Sequence, residues 1–359
     1  DGLYVSSLDG GLNKVARIAF AGGTAATLEP IQPPAGAASA FLVDANPDVD
    51  GALIASASWT RGGGLYAFDP ATKSLTDTGL RPRGKFDDVE GYEAEEVQVA
   101  SHDGVRVPLS ILHKKGIALD GSHPTLVNGY GAYGMGMPPH FNPIHLAWLE
   151  RGGVLAYAHV RGGGEFGNEW HRAGQKATKP NTWKDFIAGC EYLVAKGYTS
   201  PAKLAGEGGS AGGILIGRAV TERPDLFAAA VMKVGCLDLL RMETTTNGVP
   251  NIPEFGTVKT KEGFDGLLAM SAYHHVVDKT KYPAVLLTHG INDPRVEPWM
   301  SAKMTARLQA ATASGKPVLF RVDYDAGHGI GSTKEQHHQQ LADEWAFLLW
   351  QMGESGFSN

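Results

Sequence analysis

Apolar positions follow two rhythms along the chain. Over roughly the first 85 residues they fall in short alternating stretches, such as Phe41 to Val43 and Ala52 to Ser58, punctuated by Gly, Pro, Asp and Asn. Alternation sends successive side chains to opposite faces of a strand, so this segment reads as antiparallel β structure. Gly64-Leu65-Tyr66-Ala67-Phe68-Asp69 followed by Thr78-Gly79 has the cadence of a propeller blade, in which a strand ends on a polar turn and the next begins. A blade occupies about 40 to 50 residues, which leaves room for one or two. The pattern breaks at the charged and small residues between Lys85 and Gly91. Residues 1–88 are therefore expected to form a partial propeller-like segment and residues 89–359 a separate domain.

Beyond the break, two β-rich runs, Glu96 to Ala100 and Val105 to Leu112, flank His102-Asp103-Gly104, and an Asp-Gly pair between such runs signals a hairpin. Short apolar runs then alternate with stretches of helical period. The runs Thr125 to Asn128, Val154 to Val160, Lys203 to Gly206, Ala228 to Val234, Ala284 to Thr288 and Val318 to Tyr324 suit strands buried on both faces. Trp183 to Lys196, Ile214 to Arg223, Pro298 to Thr312 and Lys334 to Met352 carry apolar residues at helical spacing. The alternation predicts an α/β fold, a mostly parallel sheet flanked by helices on both sides. Residues 240–275, rich in Thr, Asn, Pro and Gly, form an excursion from a strand end, a place where pocket walls are built.

Composition narrows the function. With 359 residues, 43% hydrophobic and 19% charged, the chain can bury a large core. A net charge of -6 and the lack of a basic run argue against a nucleic-acid partner. No apolar stretch approaches the roughly 20 residues of a membrane helix. A soluble chain of the cytoplasm or periplasm without a membrane partner is expected; compartment and oligomeric state stay open. Cys190 and Cys236 lie in apolar segments and read as buried free thiols.

The candidate chemistry gathers at strand ends. Gly206-Glu207-Gly208-Gly209-Ser210-Ala211-Gly212-Gly213 contains Gly-x-Ser-x-Gly between an apolar run and a helical one, the setting of a nucleophile elbow. Small neighbours are needed there because the serine occupies a strained backbone position and side chains beside it would collide. A serine hydroxyl needs a base near neutral pH, and the base needs a carboxylate to fix its tautomer. Asp293 follows the run Ala284 to Thr288, and His328 follows Val318 to Tyr324. With Ser210 they keep the chain order Ser, acid, His of the α/β-hydrolases. Asp323 and Asp325 are rival acids, but Asp293 occupies its own strand-end loop; His289 reads as a packed, hydrogen-bonded histidine. The Ala211 amide is one expected oxyanion donor. The loop Asn128-Gly129-Tyr130-Gly131-Ala132-Tyr133-Gly134 supplies the other, from a backbone amide or the Tyr130 hydroxyl, unless both tyrosines simply pack a glycine-rich turn.

Two further patterns are set aside. Arg161-Gly162-Gly163-Gly164-Glu165-Phe166-Gly167 matches Gly-x-Gly-x-x-Gly, but a Trp- and His-containing loop follows it and Asp185 falls in a helical stretch, so no dinucleotide is expected. The pairs His274-His275 and His337-His338 point apart on their elements and lack companion ligands, so neither a metal nor another cofactor is expected.

Taken together, residues 90–352 resemble the prolyl oligopeptidase family of serine peptidases. The resemblance is carried, in the family's order, by Asn128-Gly129-Tyr130-Gly131, Val160 to Gly167 with Trp170-His171, Gly208 to Gly213, Asp293-Pro294-Arg295 and Gly327-His328-Gly329. It implies a serine hydrolase that cleaves a small peptide or ester through an acyl-enzyme, with Ser210, His328 and Asp293 as triad, Tyr130 and the Ala211 amide as oxyanion donors, and Arg295 on a substrate carbonyl. It also implies a proline-ring pocket, with Tyr133, Phe255 and Val296 among its lining positions. Asn251 stands where a tryptophan would stack on that ring, and an amide lacks the apolar face, a departure that bears against prolyl specificity. Family members carry a propeller of about seven blades, against one or two here. That implies a more open site, in a portion of a longer protein or in a shortened hydrolase. A broad carboxylesterase and a non-catalytic hydrolase-like binding module are the alternatives.

Overall fold

The computed structural model describes residues 1–20, 27–329 and 332–357. Strands β1 (Gly2–Asp9) and β2 (Leu12–Ala19) turn at Gly10 and Gly11, and β3 (Leu28–Ile31) pairs with β2 to complete a small antiparallel sheet. A second antiparallel sheet is the meander β4 (Ser39–Asp44), β5 (Ala52–Ala57), β6 (Leu65–Asp69) and β7 (Ser74–Asp77). Along β5 the residues Ala52, Ile54 and Ser56 are buried while those between them are partly exposed, as the alternation requires. Tyr4, Val15, Ile31, Ile54 and Phe68 share one core across both sheets.

The remaining strands are β8 (Tyr92–Ala100), β9 (Arg106–Lys114), β10 (Thr125–Gly129), β11 (Val154–Ala158), β12 (Leu204–Gly209), β13 (Ala229–Lys233), β14 (Ala284–Gly290) and β15 (Val318–Asp323). They form one eight-stranded sheet in the order β15-β14-β13-β12-β10-β11-β9-β8. The β8–β9 and β9–β11 pairings are antiparallel and the other five parallel. Strands β11 and β14 are buried throughout, which explains their unbroken apolar runs. Each face of the sheet has its own core. Leu204 and Leu287 pack with Phe186, Leu215 and Leu308 on one side, while Ala205 and Leu286 pack with Trp148 and Phe347 on the other.

Boundaries differ from the periodicity in instructive ways. Strand β12 continues to Gly209, because Gly208 and Gly209 still pair with Met232 and Lys233 of β13 although they have no side chains to reveal a pattern. The helix expected from Trp183 begins at Pro180, where proline suits the first turn. The helix expected from Ile214 begins at Gly212. Trp59, in the segment between β5 and β6, stacks on Tyr157 of β11 at 4.5 Å and donates its indole N–H to Glu96 of β8 at 2.8 Å. No helix among the described residues is long and apolar enough to cross a membrane. Cys190 and Cys236 are free and buried.

Candidate active site

The parallel strands deliver their following loops to one end of the sheet, as open α/β sheets do. Strand β12 ends one residue before Ser210, which holds φ +55° and donates its amide to the Lys233 carbonyl at 2.8 Å. The glycines around it are steric necessities. A Cβ on Gly208 would lie 2.6 Å from the Gly212 carbonyl oxygen, and one on Gly213 would lie 2.6 Å from the Gly235 Cα.

His328, on the loop after β15, reaches both partners. Its Nδ1–H donates to Asp293 Oδ2 at 2.6 Å, and its Nε2 accepts from the Ser210 hydroxyl at 3.0 Å. The carboxylate, an acceptor only, dictates this tautomer. Asp293, on the loop after β14, is fully buried at its side chain; its Oδ1 accepts the amides of Arg295 at 2.8 Å and Val296 at 3.0 Å. Burial alone would raise this carboxyl, but hydrogen bonds from His289, His328 and the two amides outweigh it and hold the group well below the ordinary carboxylate range.

His289 is a buried support. Its Nδ1 accepts from Ser301 Oγ at 2.8 Å, while Nε2–H lies between the Val296 carbonyl at 2.9 Å and Asp293 Oδ2 at 3.1 Å. Of the rival acids, Asp323 faces Arg321 at 3.9 Å and accepts the Asp325 amide at 3.0 Å.

A cavity of about 280 Å³ opens beside Ser210, walled by Tyr130, Tyr133, Asn251, Arg295 and Val296 with Cys236 and Met242 among its other neighbours. Burial raises the Tyr130 hydroxyl to about 12, so it stays a proton donor near neutral pH. Ala211 is the residue before helix Gly212–Glu222, and no hydrogen bond among the described residues occupies its amide. Tyr133 donates its hydroxyl to Asn251 Oδ1 at 2.7 Å, and Asn251 Nδ2 donates to the Asn247 carbonyl at 2.6 Å. Arg295 is exposed and Val296 buried.

Phe255 is the exception to the expected pocket. It is buried behind Tyr133, edge-on with ring centroids 5.5 Å apart, and does not border the cavity beside Ser210. Tyr133, whose backbone is left-handed at φ +58°, touches Phe255 and itself lines the cavity.

Two sets of residues act together in ways that the sequence motifs did not show. The Arg161 guanidinium holds Asp185 through Nε at 2.9 Å and through a terminal nitrogen at 2.6 Å, and Asp103 at 2.5 Å. This anchors the Gly162 loop, whose glycines press against the Tyr130 loop: a Cβ on Gly162 would fall 2.1 Å from the Gly131 carbonyl oxygen. The second set is Lys179 and Glu254, both buried, with His171 half-buried beside them. In the sequence, Arg161 and His171 stand within the stretches that carry the family resemblance and Asp103 in a hairpin turn, but nothing there ties them to Asp185, Lys179 or Glu254. Among the described residues no cluster of three or more His, Cys, Asp or Glu is arranged to hold a metal ion.

A left-handed serine at a strand-to-helix turn, hydrogen-bonded through histidine to an aspartate, on this sheet order, defines an α/β-hydrolase. The sequence model of the prolyl oligopeptidase family matches residues 139–355. The prolyl endopeptidase of Elizabethkingia miricola is 41% identical over 274 residues, covering 76% of this chain and 39% of that protein. The dual function macrocyclase-peptidase of Amanita bisporigera is 40% identical over 268 residues, covering 74% of this chain and 37% of that protein. A solved prolyl endopeptidase structure superposes with a TM-score of 0.85 at 34% identity, over 97% of this chain and 52% of its own. The chain belongs to the prolyl oligopeptidase family. It spans about two fifths of the length of those two curated relatives. Named as peptidases, they favour neither the esterase nor the binding-module alternative.

Proposed function

We propose that this chain acts as a serine peptidase of the prolyl oligopeptidase type on small peptides. The observation that carries this is the unbroken hydrogen-bonded line from Ser210 Oγ through His328 to Asp293, set on a strained elbow beside a cavity. Ser210 Oγ attacks the scissile carbonyl carbon as His328 Nε2 takes its proton, and Asp293 stays ionised to stabilise the imidazolium. The negative oxygen of the tetrahedral intermediate is met by the Tyr130 hydroxyl and the Ala211 amide. His328 then passes the proton to the departing amine, leaving an acyl-Ser210 ester. Water, deprotonated by His328, hydrolyses that ester and restores the hydroxyl.

Arg295 binds a substrate backbone carbonyl, and Tyr133, Asn251 and Val296 surround the side chain before the cut bond. The Tyr133–Asn251 hydrogen bond gives that wall a polar edge where a proline ring prefers an aromatic face, which supports a preference for proline weaker than a stacked site would give. Steady-state hydrolysis of peptide amides with proline or alanine before the cut bond tests both parts. Ser210→Ala is expected to lower kcat by about 10⁴-fold or more. Full turnover by that variant would overturn the serine mechanism, and a proline preference above about a hundredfold would overturn the reading of Asn251.

A further inference from the structure

Lys179 sits where physics disfavours a cation. Its side chain is wholly buried, and it precedes helix Pro180–Ala195, whose N-terminus repels positive charge. The one hydrogen bond of its ammonium among the described residues goes to the carbonyl oxygen of Gly131. Gly131 holds φ +69°, and a Cβ there would meet Thr182 at 2.4 Å and Val160 at 2.6 Å, so the carbonyl is aimed by a tightly wedged turn.

Two residues on, the same loop is gripped again. Buried Glu254 accepts the Tyr133 amide at 2.8 Å on one oxygen, and on the other it accepts His171 Nε2–H at 2.7 Å and Gln175 Nε2–H at 3.2 Å. A cation and an anion thus clamp the loop at its Gly131 carbonyl and Tyr133 amide, on the chain directly after Tyr130.

We propose that Lys179 and Glu254 are positioning residues that hold the Tyr130 hydroxyl where the oxyanion forms, an inference that rests on the peptidase mechanism above. An oxyanion donor stabilises the transition state only while it is pre-aimed, so a slack loop costs turnover more than binding.

The clamp has a pH signature. The titratable groups facing the ammonium are Glu254 and the Cys236 thiol, with His171 behind Glu254 and the Phe255 ring 5.7 Å away. Burial lowers Lys179 to about 8 against the pull of Glu254, whereas burial raises Cys236 and Tyr130 each to about 12. Lys179 therefore loses its charge before either of them as pH rises. The neutral amine bonds the Gly131 carbonyl more weakly and is no longer drawn to Glu254, so kcat falls as pH passes about 8. Stability moves oppositely. The folded value lies below the unfolded value of about 10.4, so between the two the unfolded chain binds more protons and this group's contribution to stability grows with pH.

The experiment is kcat and KM against pH for the wild type, Lys179→Met, Glu254→Gln, Tyr130→Phe and the Tyr130→Phe/Lys179→Met double variant, with thermal melts alongside. Lys179→Met is expected to lower kcat about tenfold near neutral pH, less than the 10²–10³ for outright loss of a donor. KM should stay within about twofold and the alkaline fall should disappear. Glu254→Gln keeps an oxygen for the Tyr133 amide but removes the charge, and is expected to move the fall to lower pH. The double variant should be no slower than Tyr130→Phe alone. A folded Lys179→Met with wild-type kcat and an unchanged fall overturns the proposal. Should that variant not fold, an unmoved fall in Glu254→Gln overturns it. Full turnover by Ser210→Ala is a separate outcome that removes the mechanism beneath it.

Discussion

At Ser210 the backbone takes the left-handed conformation, φ +55°, which costs a non-glycine residue about 1–2 kcal/mol and persists because neighbouring contacts impose it. The glycines that make room were legible in sequence, since only small residues pass one another at such a turn. The acid was legible only by placement: Asp293 and Asp323 are both strand-end carboxylates, and three-dimensional reach gave His328 to Asp293 at 2.6 Å. Asp293→Asn should preserve the fold yet lower kcat about 10⁴-fold, because an amide can donate to Nδ1 and favours the wrong tautomer. Steady-state rates near neutral pH would reveal it. Acid stability should follow the same group. The folded-state value is depressed, so its contribution to stability is present above the unfolded value of about 3.9 and lost as pH falls through the folded value. Urea denaturation at stepped pH below about 5 should therefore show a steeper loss for the wild type than for Asp293→Asn.

At the scale of elements, the strand-to-helix turn leaves no space for side chains. Gly208→Val should cost about 1–3 kcal/mol in urea denaturation, since its Cβ would press within 2.6 Å of the Gly212 carbonyl oxygen. The Gly162 loop shows how a local pattern can mislead. Its glycine spacing matches a nucleotide fingerprint, yet the glycines allow two loops to pack backbone to backbone, and Arg161 with Asp185 and Asp103 fastens them. Arg161→Met would strand the buried Asp185 carboxylate and should cost about 3–5 kcal/mol of stability, measured the same way. Helix Pro180–Ala195 carries both anchoring features, Lys179 at its start and Asp185 within it. Neither announces itself by spacing, because each acts on a chain segment remote in sequence.

For the whole molecule, the break in pattern near residue 88 is crossed by Trp59, which lies 2% exposed between Tyr157 and Glu96 of the large sheet. Trp59→Ala should lower stability by about 3–5 kcal/mol while leaving kcat at temperatures below the melt near the wild-type value, because the side chain touches none of the triad. Differential scanning calorimetry paired with initial rates separates the two effects. What the sequence alone determined about this protein is what depends on neighbours along the chain: the short strands β4 to β6, the buried interior strands β10 to β14, the glycine-lined elbow and the order Ser210, Asp293, His328, whereas β15, expected to be buried on both faces, lies at the sheet edge and is partly exposed. Tertiary structure decided what depends on neighbours across it. It turned Phe255 behind Tyr133, joined Asn251 to the Tyr133 hydroxyl, and brought Glu254 to an amide 121 residues away. Periodicity records which face of an element is buried, whereas the identity of the group met there is set by how separate elements pack.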